Sequence, residues 1–175
     1  VNVNDGTNDV VQAHTIAVVN VNDNLPAFST SAFTGIAENQ TAVGTAAATD
    51  GDGESLTFTL AGTGADDGLF SITNGGVITF SSAPDFETPL GGTGDDSNTY
   101  EINVNVNDGT NDVVQAHTIA VINANEAPVI ANGDTDTASV AENTNAATTV
   151  IDVAHSDVDS GDTIAYTLTG SVDDG

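Results

Sequence analysis

Hydrophobic and polar residues alternate along much of this chain with the period of two that predicts β-strands. The clearest case is residues 99–107, where Tyr100, Ile102, Val104 and Val106 share one face and polar residues form the other. Such a strand packs one face on a hydrophobic core and leaves the other in water. No stretch has a convincing helical period, so we expect an all-β protein.

Turn residues separate the alternating segments. Asp108 and Gly109 predict a tight turn that leads into a partner strand. Asn74-Gly75-Gly76 predicts a second hairpin. Seven short strands in about 100 residues favour an immunoglobulin-like Greek-key sandwich. The predicted strands are residues 27–33, 41–48, 56–60, 69–73, 77–80, 99–107 and 113–122.

The chain also repeats itself. Residues 1–18 are identical to residues 104–121, and weaker matches follow in the same order. The offset of about 103 residues is the size of a small domain, which indicates a tandem array. We therefore expect the end of a preceding repeat plus a linker in residues 1–24, a complete repeat plus a linker in 25–127, and the N-terminal half of a following repeat in 128–175. The chain is then a segment of a longer tandem protein.

Charge narrows the possible partners. The 175 residues include 26 Asp and Glu, no Lys or Arg and three His, which gives a net charge of −26. Nucleic acid is excluded because no basic side chain could neutralise a phosphate, and an anionic membrane surface is disfavoured. No apolar run approaches the ~18–20 residues that cross a bilayer. High charge is typical of disorder, but the alternation and the 38% hydrophobic content favour a folded chain.

Many carboxylates lie in short motifs at the ends of predicted strands. An Asp-x-Asp pair such as Asp50 and Asp52 places two carboxylates on one side of an extended chain. Oxygen-only ligand sets suit Ca²⁺, and the chain has no Cys for zinc. A helix-loop-helix calcium site is excluded, since Ser55 and Ala61 stand where that loop requires Gly and Glu. The oxygen ligands expected around the second linker are those of Glu38, Asp85, Glu87, Asn123, Asn125, Glu126, Asp157 and Asp159.

These motifs, in this order and spacing, resemble the cadherin repeats, most closely the bacterial cadherin-like arrays of large calcium-dependent surface adhesins. Residues 106–122 also resemble the end of a VCBS-type repeat. The matching pieces are Ala37-Glu38-Asn39, Asp50-Gly51-Asp52, Asp85-Phe86-Glu87, residues 104–109 and the linker 20–28.

The resemblance implies three Ca²⁺ ions at each junction between repeats. At the second junction, Glu38, Asp85, Glu87 and Glu126 would hold two ions, and Asn125, Asp157 and Asp159 would hold the third with the carbonyl of Ala127. At the first junction, the downstream half would comprise Asn22, Asp23, Asn24, Asp50, Asp52 and Asp108. Asp5 and Glu142 would serve other junctions. The chain departs from the family pattern at Asn20, Asn123, Glu126 and Ala127, where the family has Asp, Asp, Asp and Asn.

The resemblance further implies an extracellular, secreted stalk segment whose junction calcium sets its stiffness. Its partners would be neighbouring repeats of the same chain, with homotypic assembly or a cell-surface glycan or protein as further partners. Two alternatives stay open: a carbohydrate- or protein-binding module, and a self-assembling filament or surface-layer subunit completed by neighbouring strands. Few aromatic residues are present to line a sugar cleft.

No arrangement typical of catalysis is found, so we expect no enzyme. The three histidines, His14, His117 and His155, are interpreted as structural polar residues. Three acidic pairs are expected in solvated loops: Asp66-Asp67, Asp95-Asp96 and Asp173-Asp174.

Overall fold

Two β-sheet layers enclose the hydrophobic side chains of residues 27–122 in this computed structural model. It describes residues 1–91, 97–131, 139–145, 149 and 151–167. In chain order the strands are β1 (Asn2–Asn4), β2 (Asp9–Val11), β3 (Ala27–Phe28), β4 (Ala32–Ala37), β5 (Ala42–Thr45), β6 (Ala48–Thr49), β7 (Thr57–Leu60), β8 (Phe70–Ile72), β9 (Val77–Phe80), β10 (Thr99–Asn107), β11 (Asp112–Ile122), β12 (Val129–Ile130) and β13 (His155–Ser156).

The first layer is a four-stranded sheet in the order β4-β11-β10-β7. β4 runs parallel to β11, and the other neighbours are antiparallel. The alternation of β10 is confirmed, because Tyr100, Ile102, Val104 and Val106 are all buried in the core.

The second layer combines the sheet β5-β9-β8 with the pair β3-β6. β5 and β6 belong to one extended stretch that is interrupted at Ala46 and Ala47. The predicted hairpin between β8 and β9 is present, and Gly76 has φ +85° in its turn. A side chain at Gly76 would place its Cβ 2.4 Å from the carbonyl oxygen of Ala46, so only glycine fits. The fold is an all-β, immunoglobulin-like sandwich.

Two of the seven predicted strands are divided in the structure. Residues 27–33 are not one strand, because β3 pairs with β6 in the second layer while β4 pairs with β11 in the first. The chain crosses between layers at Thr30, whose carbonyl oxygen accepts hydrogen bonds from Gln115 Nε2 and His117 Nε2, both at 3.0 Å. His117 is fully buried there, in agreement with a structural role.

The acidic pair Asp66-Asp67 does not lie in a solvated loop, so that prediction was wrong. Both residues are buried at a 3₁₀ turn, Asp67–Leu69. Asp66 accepts a hydrogen bond from the backbone N–H of Glu101 at 2.7 Å, and Asp67 accepts one from Asn103 at 2.8 Å. β7 pairs only with the later part of β10, so the two carboxylates satisfy N–H groups along the rest of that edge. The pairs Asp95-Asp96 and Asp173-Asp174 lie outside the described residues.

The two copies of the repeated sequence form the same turn, but the strands beside the turn differ in length. The turn 4–9 repeats the turn 107–112, and Val3 pairs with Val10 as Val106 pairs with Val113. β1 and β2 have only three residues each, however, whereas β10 has nine and β11 eleven. Val1, Val3, Ile16 and Val18 are 65–95% exposed, although their counterparts in the complete unit are buried. The turn is therefore encoded locally, but the long strands require the core.

The following segment repeats the start of the unit. β12 pairs with β13 antiparallel, as β3 pairs with β6. Asn39 and Asn143 both have φ 62° within the matching Ala-Glu-Asn motifs. Among the described residues of this segment, the strands are β12 and β13.

Core truncation tests the two environments of the repeated sequence. We expect Ile119→Ala to lower the free energy of unfolding by about 2–5 kcal/mol, because a fully buried side chain leaves a cavity. Ile16→Ala, the same change in the other copy, should alter it by less than about 0.5 kcal/mol because Ile16 is exposed. Chemical denaturation of both variants measures the difference, and equal effects would contradict the assignment of the core.

Removal of the Asp67 carboxylate tests its role at the edge of β10. We expect Asp67→Ala to cost about 1–3 kcal/mol, because the N–H groups of Asn103 and Gly64 lose their acceptor. Glu101→Ala, which removes an exposed carboxylate from the same strand, is the matched control and should change stability little. A neutral outcome for Asp67→Ala would show that water replaces the carboxylate.

Candidate metal centres

One end of the complete unit gathers carboxylates from separate segments. Glu38 follows β4, Glu87 lies in the loop after β9, and Glu126 lies in the linker after β11. Their oxygen atoms come within 4.8 Å of one another. The fold therefore assembles the acidic set that the sequence places far apart.

Glu38 organises this end of the sandwich. It is 3% exposed, and its two oxygens accept hydrogen bonds from the backbone N–H groups of Phe86 at 2.6 Å and Ala124 at 2.8 Å. One buried carboxylate therefore ties the loop after β9 to the linker. Its burial beside two further carboxylates makes the cluster an unusually concentrated negative charge.

Two members of the cluster, Glu87 and Glu126, have a raised pKa. Burial raises the pKa of Glu87, and the nearby carboxylates of Glu38, Glu126 and Asp159 raise it further. Burial likewise raises the pKa of Glu126, against a hydrogen bond from Asn39 Nδ2, and Glu38 and Asp159 add to the rise. Glu126 Oε2 is buried and has no hydrogen-bond partner.

Two amide side chains and Asp85 lie beside Glu87 and Glu126. Asn123 Nδ2 donates to Glu87 Oε1 at 2.9 Å, and Asn125 Nδ2 donates to the carbonyl of Glu126 at 2.6 Å. Asp85 lines an open recess of ≈ 340 Å³ with Glu87 and Glu126. Its Oδ1 accepts hydrogen bonds from the backbone of Glu87 and Thr88, and bonds with Thr88 are the main reason why its pKa is lowered.

The second group at this junction comes from the following segment. Asp157, Asp159 and Asp162 also offer oxygens within 4.8 Å of one another. The backbone N–H of Glu126 donates to Asp159 Oδ2 at 2.6 Å, which joins the linker to this group. Asp157 Oδ2 is buried without a hydrogen-bond partner.

The first junction has an acidic group like that of Asp157, Asp159 and Asp162. Asp50, Asp52 and Glu54 lie together, and the backbone N–H of Asn24 donates to Asp52 Oδ2 at 2.7 Å. Asp23 donates its backbone N–H to the same oxygen at 3.0 Å. Burial raises the pKa of Glu54, and Asp50 and Asp52 raise it further. Asp50 Oδ2 and Glu54 Oε2 are buried and unpartnered.

Asn22 and Asp108 form a separate hydrogen-bonded group at the first junction. Asn22 Nδ2 donates to the carbonyl of Asp108 at 3.4 Å, and Asn111 Nδ2 donates to Asp108 Oδ2 at 2.9 Å. Burial raises the pKa of Asp108, but bonds from Asn111 and Thr110 outweigh it and lower the pKa to about 2. Asp108 therefore acts here as a cap of the β10–β11 turn. Asn20 donates to the carbonyl of Asp52 at 3.1 Å.

The two linkers differ in length. Five residues separate Asn20 from Pro26, whereas four separate Asn123 from Pro128. The N–H of Glu126 binds Asp159 as the N–H of Asn24 binds Asp52. Glu126 therefore takes the structural place of Asn24, and the second junction lacks one polar linker residue.

Sequence reasoning missed Glu54 and Asp162 as members of the acidic groups. Both follow an Asp-x-Asp pair and a glycine with positive φ, Gly53 at 85° and Gly161 at 109°. This shared pattern in the two copies was the available signal. Asp5 and Glu142, assigned to other junctions, are exposed among the described residues.

The donor sets fit a calcium ion. Every group consists of oxygen atoms, which hard cations prefer. Carboxylates whose oxygens lie within 4.8 Å repel one another. Buried carboxylate oxygens without hydrogen-bond partners are stabilised by a nearby positive charge. The chain contains no Lys or Arg that could supply this charge.

Solved structures share the fold. The chain is similar to extracellular cadherin domains 1–4 of protocadherin gamma B7, with a TM-score of 0.50 and 25% identity over 82% of this chain and 35% of that one. It is also similar to EC1-2 of human protocadherin-24, with a TM-score of 0.53 and 24% identity over 78% of this chain and 62% of that one. The chain thus spans less than two thirds of either structure.

Neither a protein-family model nor a curated protein sequence matches the chain. Within the described ranges, no helix has the length and apolar character needed to cross a membrane. The comparisons therefore establish a cadherin-like fold.

Neutralisation of Glu126 tests the repulsion in the cluster. A carboxyl whose pKa is raised by folding stabilises the folded state when protonated and loses that contribution as pH rises through its folded pKa. In chelator, Glu126→Gln should therefore match the unmodified chain below pH 4.5, the ordinary value, and melt at a higher temperature at pH 7. Glu101→Gln, an exposed control, should show no such difference between the two pH values. A lower melting temperature for Glu126→Gln at pH 7 would contradict the repulsion.

Proposed function

We propose that this chain is a calcium-rigidified spacer, a stalk segment of an extracellular adhesin or filament. The observation that carries the proposal is the convergence of Glu38, Glu87 and Glu126, which belong to the complete unit and its linker, beside the Asp157–Asp159 motif of the next segment. A cation bound there would be shared by two successive segments. The cadherin-like fold supports this role.

Glu38, Asp85, Glu87 and Glu126 would hold calcium on the side of the complete unit. Asp157 and Asp159, with Asp162, would hold it on the side of the following segment, and Asn123 and Asn125 would offer amide oxygens. Bound calcium supplies the positive charge that removes the repulsion between these groups. Glu38 positions the others, because it fixes both the loop that carries Glu87 and the linker that carries Glu126.

At the first junction, Asp50, Asp52 and Glu54 would form the equivalent downstream group, and Asn22, Asp23, Asn24 and Asp108 would support its linker. Extracellular calcium modules bind at roughly 10⁻⁴–10⁻³ M, so such sites fill outside the cell and stay empty in cytoplasm. The proposal therefore includes secretion, a bacterial surface array and a mechanical, non-enzymatic role. Neighbouring repeats of the same protein would be the immediate partners.

Calcium titration tests the proposal directly. We expect calorimetry to detect binding in the range of about 10⁻⁴–10⁻³ M and X-ray scattering to show a longer, less flexible particle in calcium than in chelator. Glu87→Gln should weaken binding by about tenfold, because calcium affinity depends on the number of charged ligands. Glu101→Gln is the matched control and should bind as the unmodified chain does.

Two results would refute this role. One is the absence of saturable binding up to ~10 mM, well above the range of extracellular modules. The other is binding that leaves the scattering profile unchanged, since an ion that does not join the segments cannot stiffen them.

A further inference from the structure

Tension applied through the two linkers of the complete unit would act along one pair of strands. β4 and β11 are parallel neighbours. Asn22 of the first linker donates to the carbonyl of Asp108, at the turn that leads into β11, whereas Ala124 of the second linker donates its N–H to Glu38, which follows β4. The linkers therefore lie at opposite ends of the pair. A pull on both would slide β4 past β11, and every bond between the two strands would resist at the same time.

The backbone ladder between β4 and β11 is short. Four residue pairs are in register, and the register shifts between Ile119 and Val121. At the same place β4 contains Gly35, with φ +72°. Because the ladder has few bonds, each additional bond between these two segments adds a large share to their resistance.

Thr30 adds two side-chain bonds ahead of this ladder. It lies two residues before β4, and its carbonyl oxygen accepts hydrogen bonds from Gln115 Nε2 and His117 Nε2, both at 3.0 Å. Tension that enters from the first linker reaches Thr30 before it reaches β4. The two bonds pass this tension directly to β11, the strand that leads to the second linker. The hydrogen bonds between Thr30 and Ala47, by contrast, connect to the second layer.

The bond from His117 is protected from water. His117 is fully buried, and its ring packs against those of Phe28 and Phe33, with centroid distances of 5.2 and 6.1 Å. A hydrogen bond inside a protein is electrostatically stronger than one in water. Water cannot replace this bond until the aromatic rings separate, so the bond persists under tension.

We propose that Gln115, His117 and the carbonyl of Thr30 form a mechanical latch, which delays the separation of β4 from β11 when the complete unit is under tension. The inference rests on the proposed stalk role, in which tension reaches the unit through its linkers. The latch lies within one unit and contains no acidic residue. It therefore acts both with calcium and without it.

Force spectroscopy on the full chain tests the latch, because forced unfolding reports the unfolding rate. Handles are attached at Leu25→Cys and Ala127→Cys, two exposed linker positions in a chain without Cys of its own. Gln115→Met keeps the length of the side chain and removes its donor, and Gln12→Met makes the same change at the exposed position of the first copy. At a fixed force in chelator, Gln115→Met should unfold about three to ten times faster, the effect of one lost hydrogen bond. Gln12→Met should unfold at the original rate.

The direction of pulling separates a mechanical role from a structural one. Handles at Ala37→Cys and Ile122→Cys, which lie opposite each other, open the same pair from the end that is far from Thr30. This opening should need less than about half the force, because the evenly spaced bonds of a parallel pair then break one after another. Gln115→Met should leave it unchanged. The comparison of the two directions needs no substitution in the latch itself.

A variant that loses stability elsewhere completes the test. Asp67→Ala removes bonds at the edge of β10, and these bonds are still intact when β4 and β11 part. It should therefore leave the unfolding rate under tension unchanged. Equal rates for Gln115→Met and the unmodified chain, equal acceleration by Gln115→Met and Asp67→Ala, or equal forces in the two directions overturns the latch. A failure to bind calcium would refute the calcium-rigidified spacer and leave these rates unaltered, so the two failures are distinguishable.

Discussion

Hydrogen bonds from backbone N–H groups hold the buried carboxylates of this chain, because the sequence provides no Lys or Arg. Glu38 binds the N–H groups of Phe86 and Ala124, and Asp67 binds those of Gly64 and Asn103. In each case one side chain connects segments that are distant in sequence. A buried carboxylate that accepts such bonds avoids much of the cost of leaving water. The acidic residues therefore help to build the sandwich as well as covering its surface.

At the junctions, N–H groups do not satisfy every buried carboxylate oxygen. Oxygens of Asp50, Glu54, Glu126 and Asp157 are buried there without partners, and each belongs to a group of three carboxylates. These atoms differ from those of Asp108, whose hydrogen bonds keep its pKa at about 2. Acidic residues therefore occur in two settings in this chain. A carboxylate whose oxygens accept hydrogen bonds, such as that of Asp108, caps a turn. A group of carboxylates with unpartnered oxygens could accept a cation.

Sequence patterns predicted the strands of the complete unit because alternation, turn glycines and burial all act locally there. β9 and β10 have the predicted bounds, and the predicted hairpins are present. The division between β3 and β4 could not be predicted, because it depends on Thr30 meeting Gln115 and His117 from the far end of the unit. The burial of Asp66 and Asp67 was missed for a similar reason: the N–H groups that they satisfy become unpaired only because β7 is shorter than β10.

The residues that make the two junctions chemically different lie in the linkers, after the end of the repeated sequence. Identity between the copies ends at Val18 and Val121, immediately before the linkers. Beyond that point Asp23 and Asn24 of one linker correspond to Glu126 alone in the other, yet the bond from the linker N–H to the Asp-x-Asp motif is retained. The sequence before the linker is thus the same in both copies, whereas the linkers carry polar oxygen atoms that differ in number and charge. Because calcium affinity depends on the number and charge of the oxygen ligands, the proposed calcium sites at the two linkers would differ in affinity although the preceding strands are identical in sequence.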